Sequence, residues 1–401
     1  MANFHIIGTG LAGLAAATSI VRAGHFAQLY EAGTIAGGRC ALLRDEHRND
    51  GYDGCNALLF CGNSAVRTYA EQIGSAHSLM LLDRGGKGYD VARKQAFERS
   101  AFLLPPALPL VDALQLLRMR FAGTGTAADD LFDYYHPLTE SYIEPLCRGM
   151  MLCEPTDADA IRLAQRVWHI ARRGAQGLRM MIPRHSLYHS LVEPALRQIE
   201  LEGGTVYYSH ALKKMVSADG YICALHFAKQ AKELKPHDRV ILALPAHVLQ
   251  QMAPNAVNTA LVQRDVVTVH FHTGDTAESR IVPLVGASVD WVRRHQGVIS
   301  AVSYVPERLL PLHDDSIARR VWMEIGPAMG VEREALPAFR VVRSRRAHAV
   351  RTGHAPLANR YMNNGFLAGE LFGPDQCVPL EAALLSGVRA AQDAMASLTN
   401  T

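Results

Sequence analysis

Apolar and polar residues follow two rhythms along this chain, and each change of rhythm marks an element. Phe4, Ile6 and Ile7 form a short apolar run that stops at Gly8, as a buried strand does. Leu11, Leu14, Ala15, Ala16, Ala17, Ile20 and Val21 then recur at helical spacing until Gly24, which predicts a helix fed directly by that strand. FAQLYE follows as a second strand and closes on Glu31. A helix starts near Asn63, and residues 129 to 182 read as a mostly helical region of mixed polarity. Ser186 is placed to cap the helix SLYHSLVEPALRQIELE, which Gly203 and Gly204 end. TVYYSHALKKM, YICALHFA and DRVILALP read as strands, the last stopping at Pro245. VVTVHFHT, GVISAVSYV and WMEIG alternate as three further strand candidates, enough for the sheet of a second domain. GFLAGE is a strand running into a glycine and an acid. The helix PLEAALLSGVRAAQDAMASL follows, with Pro379 in its first turn and one face kept small by Ala382, Ala383, Gly387, Ala390 and Ala391.

Chemistry enters at the first junction. Gly8, Gly10 and Gly13 make G-x-G-x-x-G between strand and helix. The first permits the turn, the second lets backbone approach a pyrophosphate, and the third lets helix pack on strand. Phosphates then sit on a helix N-terminus. Glu31 ends the second strand eighteen residues beyond Gly13, where a carboxylate accepts from the hydroxyls of an adenosine ribose. Strand, helix, second strand and acid together point to an adenine dinucleotide. Gly37, Gly38 and Arg39 add a second backbone nest with a fixed cation, which suits FAD and its deep-running flavin. The final helix, with its N-terminus inward, would stabilise negative charge on a reduced flavin. The turn at Asp53 and Gly54, before Ala57 to Phe60, either passes under the flavin or is a plain loop before a helix. The arginines at 343, 345, 346 and 351 read first as a solvated face, with pairing to flavin phosphate or a carboxylate as the alternative.

Composition narrows the classes. A chain of 401 residues, 49% hydrophobic and 20% charged, is a folded protein with room for more than one domain. A net charge of +3 is too small to imply nucleic acid. The cysteines at 40, 55, 61, 147, 153, 223 and 377 form no C-x-x-C pair and no Cys/His spacing for zinc, so no metal is expected. Scattered cysteines and an immediate entry into the first strand lead us to expect reduced thiols, no signal peptide and a cytoplasmic location. The stretch SAFLLPPALPLVDALQLLRMRF is broken by Pro105, Pro106 and Pro109. It either packs as core or dips into a membrane surface with Arg118 and Arg120 reaching lipid phosphates.

GTGLAGLAAATSIVRAGHFAQLYEAGTIAGGRC, DRVILALP and FLAGELFGPDQCVPLEAALLSGVRAA resemble the superfamily of flavin-dependent amine oxidases and phytoene desaturases. YDGCNALLFCGNSAVRTYAEQIGS, YIEPLCRGMML, MMIPRHSLYHSLVEPALRQIELEGGTVYYSHALKKM and VVRSRRAHAV are most similar to its squalene-associated branch, the hydroxysqualene dehydroxylases of bacterial hopanoid synthesis. The chain departs from that branch at Glu370, usually an aspartate, at PDQCVPLE, usually threonine- and glycine-rich, and at the Tyr52 to Asn56 turn, which lacks the usual asparagine after the aspartate.

The resemblance implies an α/β plus α+β fold: a Rossmann-type FAD-binding domain from residues 1–75, 186–250 and 356–401, and a discontinuous mixed sheet-and-helix substrate domain from 76–185 and 251–355. It implies FAD held by Gly8, Gly10, Leu11, Ala12, Gly13, Glu31 and Ala32 at the adenosine and phosphate end. Gly38, Arg39, Cys55, Asn56 and Leu212 follow, with Gly369, Glu370, Val378, Pro379 and Leu380 completing the site. The implied reaction is reduction of the allylic alcohol hydroxysqualene, an apolar isoprenoid, to squalene by hydride from reduced flavin, on a protein attached peripherally to the inner membrane. Asp53, beside the flavin-proximal turn, and Glu144, in the substrate domain, are the candidate proton donors. Carotenoid-type desaturation, amine oxidation and a non-catalytic prenyl-lipid carrier on the same fold are the competing readings.

Overall fold

The computed structural model describes all residues except 1, 46–47, 55, 83–86, 99–116, 124, 132–141, 178, 229, 258, 276, 332–334, 352–356 and 399–401. The proline-broken stretch falls largely on these, so residues 101–116 of the expected membrane segment near 101–120 lie outside the described residues, as does Cys55.

A six-stranded sheet organises the molecule, in the order Thr205–Tyr207, Phe26–Tyr30, Asn3–Ile7, Arg239–Leu242, Gly365–Leu367, Arg360–Met362. All neighbours are parallel except the last pair. Such a sheet is covered on both faces, which is why its strands read as nearly continuous apolar runs. Phe4 and Ile6 face a helical layer containing the first helix, Leu11–Arg22, and the last, Pro379–Ala396. Ile7, Val240 and Leu242 face a three-stranded antiparallel sheet built by Leu212–Ala218, Tyr221–Phe227 and Ala231–Glu233. Ser186 starts the helical turn before Glu193–Leu201 as its position suggests: its Oγ accepts the His189 N–H at 3.1 Å.

The second body is a seven-stranded sheet in the order Phe339–Arg351, Leu261–His272, Val298–Ser303, Trp291–His295, Arg280–Val285, Lys87–Asp90, Gln95–Glu98. VVTVHFHT and GVISAVSYV lie in its strands. WMEIG does not: Trp322 to Gly326 belong to the helix Asp314–Met329. Its five residues alternate by coincidence, whereas Ile317, Val321, Ile325 and Met329 repeat at helical spacing, all buried, with two acids in the first turn and Gly330 at φ +70° after the last. Trp291–His295 was hidden from pattern reading for the opposite reason, since its two arginines and histidine are buried and hydrogen-bonded or paired inside. A helical layer around Ile143 to Ile170 packs beside this sheet and contributes Gly149 and Leu152 to the cavity described next.

Candidate active site

One cavity of ≈ 660 Å³ runs from the ends of the first two strands to the start of the last helix. Its inner end is the glycine cradle. Gly8 has φ +106°, and a Cβ there would stand 2.4 Å from the Ala243 carbonyl oxygen. A Cβ on Gly13 would meet the Gly8 oxygen at 2.0 Å, so helix and strand touch through their backbones. Gly10 differs: a Cβ there meets nothing within 4 Å, because it faces the open cavity. This opening lies at the first turn of the helix, with Leu11 and Ala12 on the wall, where backbone N–H groups have no intrahelical acceptor. Glu31 is held in place by the Gly33 N–H at 2.8 Å, the Thr9 N–H at 3.2 Å and the Thr9 hydroxyl. Ala32, Gly38 and Leu212 line the same end, and a Cβ on Gly38, at φ +55°, would lie 3.2 Å from Gly10 Cα.

The other end is closed by Gly369, Glu370, Val378, Pro379 and Leu380. Gly369 sits at φ +143° and also faces open space. Arg39 donates to Glu370 Oε2 at 2.8 Å and contacts His348 Nδ1, which lies 3.2 Å from that same oxygen. Burial alone would raise the Glu370 carboxyl, but Arg39 and His348 outweigh it and hold the group at about 2. Burial and the Arg39 cation keep His348 below its ordinary value. Arg39 is therefore committed to a carboxylate, a partner that adjacency to Gly37 and Gly38 does not disclose.

The start of the last helix is anchored from behind. Glu381, fully buried, takes the Asn63 amide at 3.0 Å, the Ala65 N–H at 3.1 Å and His169 Nε2 at 3.2 Å. Cys377 Sγ lies 3.9 Å from the same His169 nitrogen, and burial pushes its thiol up to about 12. Further along, a Cβ on Gly387 would stand 2.1 Å from the Ala12 oxygen, so the last helix rests directly on the first turn of the first.

Three candidates stand elsewhere. Asn56 does not line the cavity; its Oδ1 accepts from Arg293 at 2.7 Å. Asp53, buried, also points away from the lining, accepting the Leu187 N–H at 2.7 Å with Arg293 3.6 Å off. Burial raises its pKa against the pull of Arg293 and the backbone donors. Glu144 is ion-paired to Arg148 at 2.7 Å and is likewise absent from the wall. Among the groups that do line the cavity and that pattern reading left unnamed are Tyr304 and His348. Tyr304 is fixed by its N–H to Asp290 at 2.6 Å and its hydroxyl to the Asn56 carbonyl at 3.1 Å.

The open faces of Gly10 and Gly369, the helix N-terminus and the oriented Glu31 carboxylate fit a bound FAD. The chain belongs to the family of flavin-containing amine oxidoreductases, whose sequence profile matches residues 11–395. It is an FAD-dependent oxidoreductase. Within that class it is similar to the hydroxysqualene dehydroxylase of Sinorhizobium fredii (strain NBRC 101917 / NGR234), 30% identical with 100% of this chain and 99% of the relative covered. The enzyme of that name from Zymomonas mobilis subsp. mobilis (strain ATCC 31821 / ZM4 / CP4) is 28% identical, with 98% and 99% covered. Solved structures with this fold include a putative protoporphyrinogen oxidase from Exiguobacterium sp. 255-15, with a TM-score of 0.73 at 17% identity over 99% of both chains. Cyclohexylamine oxidase from Brevibacterium oxydans IH-35A gives a TM-score of 0.77 at 11% identity, again over 99% of both.

Proposed function

We propose that this protein reduces hydroxysqualene to squalene, as a step of squalene and hopanoid synthesis. The observation that carries the reading is the state of the acids in the cavity. Among the described lining residues only Glu31 and Glu370 are carboxylates, and both are already engaged by groups of the protein. Nothing remains to receive a cationic amine, which weighs against amine oxidation, while Leu43, Leu58, Leu152, Val342 and Ala347 offer an apolar wall. The full-length similarity to two enzymes named hydroxysqualene dehydroxylase supports the same substrate.

FAD, when reduced and bound, supplies the hydride. The allylic C–O bond breaks as a proton reaches the hydroxyl, water leaves, and a C–H bond forms at the allylic carbon. The apolar wall keeps water from the developing cation. The proton is expected from the wall itself, where His348 and Tyr304 are two of the protic groups. Asp53 and Glu144, off that wall, act by holding Arg293 and Arg148 in place. The partition into residues 1–75, 186–250 and 356–401 against 76–185 and 251–355 belongs to the same proposal.

Anaerobically reduced protein mixed with hydroxysqualene should yield squalene in step with flavin reoxidation. Absence of squalene, or reduction of the oxidised protein by phytoene, would assign the cavity to desaturation instead.

No helix among the described residues is long and apolar enough to cross a membrane. The membrane attachment we propose falls on Leu117, Phe121 and Trp168, which are 56%, 81% and 61% exposed. Arg120 lies 5.2 Å from the Trp168 ring, and Arg118, Arg172 and Arg173 are exposed nearby in sequence. Aromatic side chains among arginines suit an anionic bilayer surface. Phe121→Ser with Trp168→Ser should abolish co-sedimentation with anionic vesicles; unchanged pelleting would refute this placement.

A further inference from the structure

The strand Phe339–Arg351 breaks its ladder beside the cavity. Arg264 pairs with His348 and Val266 with Ser344, so one residue of the long partner strand, Asp265, is set against three, Arg345, Arg346 and Ala347. Bulges of this kind bend a strand and re-aim its side chains. Arg346 takes φ +51°, a left-handed conformation that costs a non-glycine residue free energy and persists only when its surroundings hold it. What holds it is visible: the Arg346 N–H donates to Asp265 Oδ1 at 2.7 Å. Asp265 thus engages the Arg346 backbone and not its guanidinium group.

Both Arg345 and Arg346 line the cavity, and both are exposed. Neither side chain has an ion-pair or hydrogen-bond partner among the described residues. They share the wall with Gly8 to Ala12 and with Gly37 to Arg39. The third arginine on that wall, Arg39, is neutralised by Glu370. Two positive charges therefore remain beside a cradle of backbone N–H groups. His247, also on the wall, feels one of them, since burial and then Arg346 lower its pKa.

We propose that the Arg345–Arg346 bulge is a diphosphate clamp, holding the two phosphates of the bound dinucleotide from a strand outside the dinucleotide fold. Two guanidinium groups on one wall suit two linked phosphates, each by paired N–H donors. Asp265 is the positioning residue that keeps the turn in its strained shape. Because the clamp belongs to the seven-stranded sheet, cofactor occupancy ties the two bodies of the protein together.

The test uses purified holoprotein, with FAD release on dilution followed by flavin fluorescence. Arg345→Gln with Arg346→Gln should speed release by about 10- to 100-fold, the loss expected for charge-assisted contacts. It should also flatten the rise in release between about 0.05 M and about 0.5 M salt. Arg345→Lys with Arg346→Lys should restore the salt dependence and part of the retention. Inorganic pyrophosphate should displace FAD from the wild type more readily than from the glutamine variant. Apoprotein affinity for riboflavin, which has no phosphate, should be equal in both. Release unchanged in the glutamine variant overturns the clamp, as does an equal loss of riboflavin affinity. Binding of pyrophosphate to wild-type holoprotein without FAD displacement, lost in the glutamine variant, also overturns it, because the guanidinium groups would then serve a diphosphate other than the cofactor's. These readouts do not depend on which substrate is reduced.

Discussion

Replacing two glycines of one motif by alanine should give opposite phenotypes. Gly10 caps the first helix with φ −66° and ψ 172°, a conformation alanine adopts without strain, and its Cβ would meet no protein atom within 4 Å. Protein without cofactor should therefore keep its stability or gain about 0.4–1 kcal/mol from a stiffer unfolded chain. The new methyl, however, occupies the face through which phosphates approach the first-turn N–H groups. Loss of one or two charge-assisted hydrogen bonds, at about 1.5–3 kcal/mol each, weakens FAD by roughly a hundredfold. Gly13 is the reverse case. Alanine in a helix gains about 1 kcal/mol over glycine, but this Cβ would sit 2.0 Å from the Gly8 carbonyl oxygen. Backbone on both sides leaves no rotamer to relieve the overlap, and overpacking costs about 1–3 kcal/mol or more. The clash wins, and Gly13→Ala should lose about 1–2 kcal/mol with or without cofactor. Urea denaturation of the apoproteins and fluorescence titration with FAD separate the two effects. A Gly10→Ala protein that is destabilised yet binds FAD normally would refute the assignment of that open face.

Gly387→Ala, whose Cβ would stand 2.1 Å from the Ala12 oxygen, should both destabilise the protein by about 2 kcal/mol and weaken FAD, read by the same two assays. Glu370 is held at about 2, below its unfolded value of 4.5. Its contribution, on the order of 3 kcal/mol, is thus present above pH 4.5 and lost as pH falls toward 2. The stability gap between wild type and Glu370→Gln should close over that window; a gap independent of pH would show the pair to be weak. Asp53→Asn removes a charge that burial disfavours and keeps an oxygen for the Leu187 N–H, so stability should change little, while flavin reoxidation by hydroxysqualene stays near the wild-type rate. A rate loss of about a hundredfold or more with FAD retained would return Asp53 to the chemistry.

Much of the cofactor end was legible because its signals are local. Gly8, Gly10 and Gly13 act within one turn, and the apolar rhythm on either side says which element each glycine joins. The other end was legible only as parts. Arg39 and Glu370 stand 331 residues apart, so nothing near Arg39 announces its partner. Glu381, His169 and Cys377 likewise meet only after the last helix docks on the helical layer. Charged residues mislead most where they are buried in pairs, as in Trp291–His295, because pattern reading sends arginine to the surface. Asp53 shows a related limit: its neighbour Gly54 lines the cavity, whereas Asp53, at the end of its strand, is not among the lining residues.

The contact of Gly387 with Ala12 also sets an order of events in biosynthesis. Strand Asn3–Ile7 and the first helix are made well over two hundred residues ahead of Arg239–Leu242, the strand's second neighbour. The first helix waits longer still, for a helix that ends at Ala396. Until then the part of its surface around Ala12 that meets the last helix lacks that partner. A chain cut before Gly387 should therefore carry every glycine of the motif and still lack the helix that packs on the cradle's first turn.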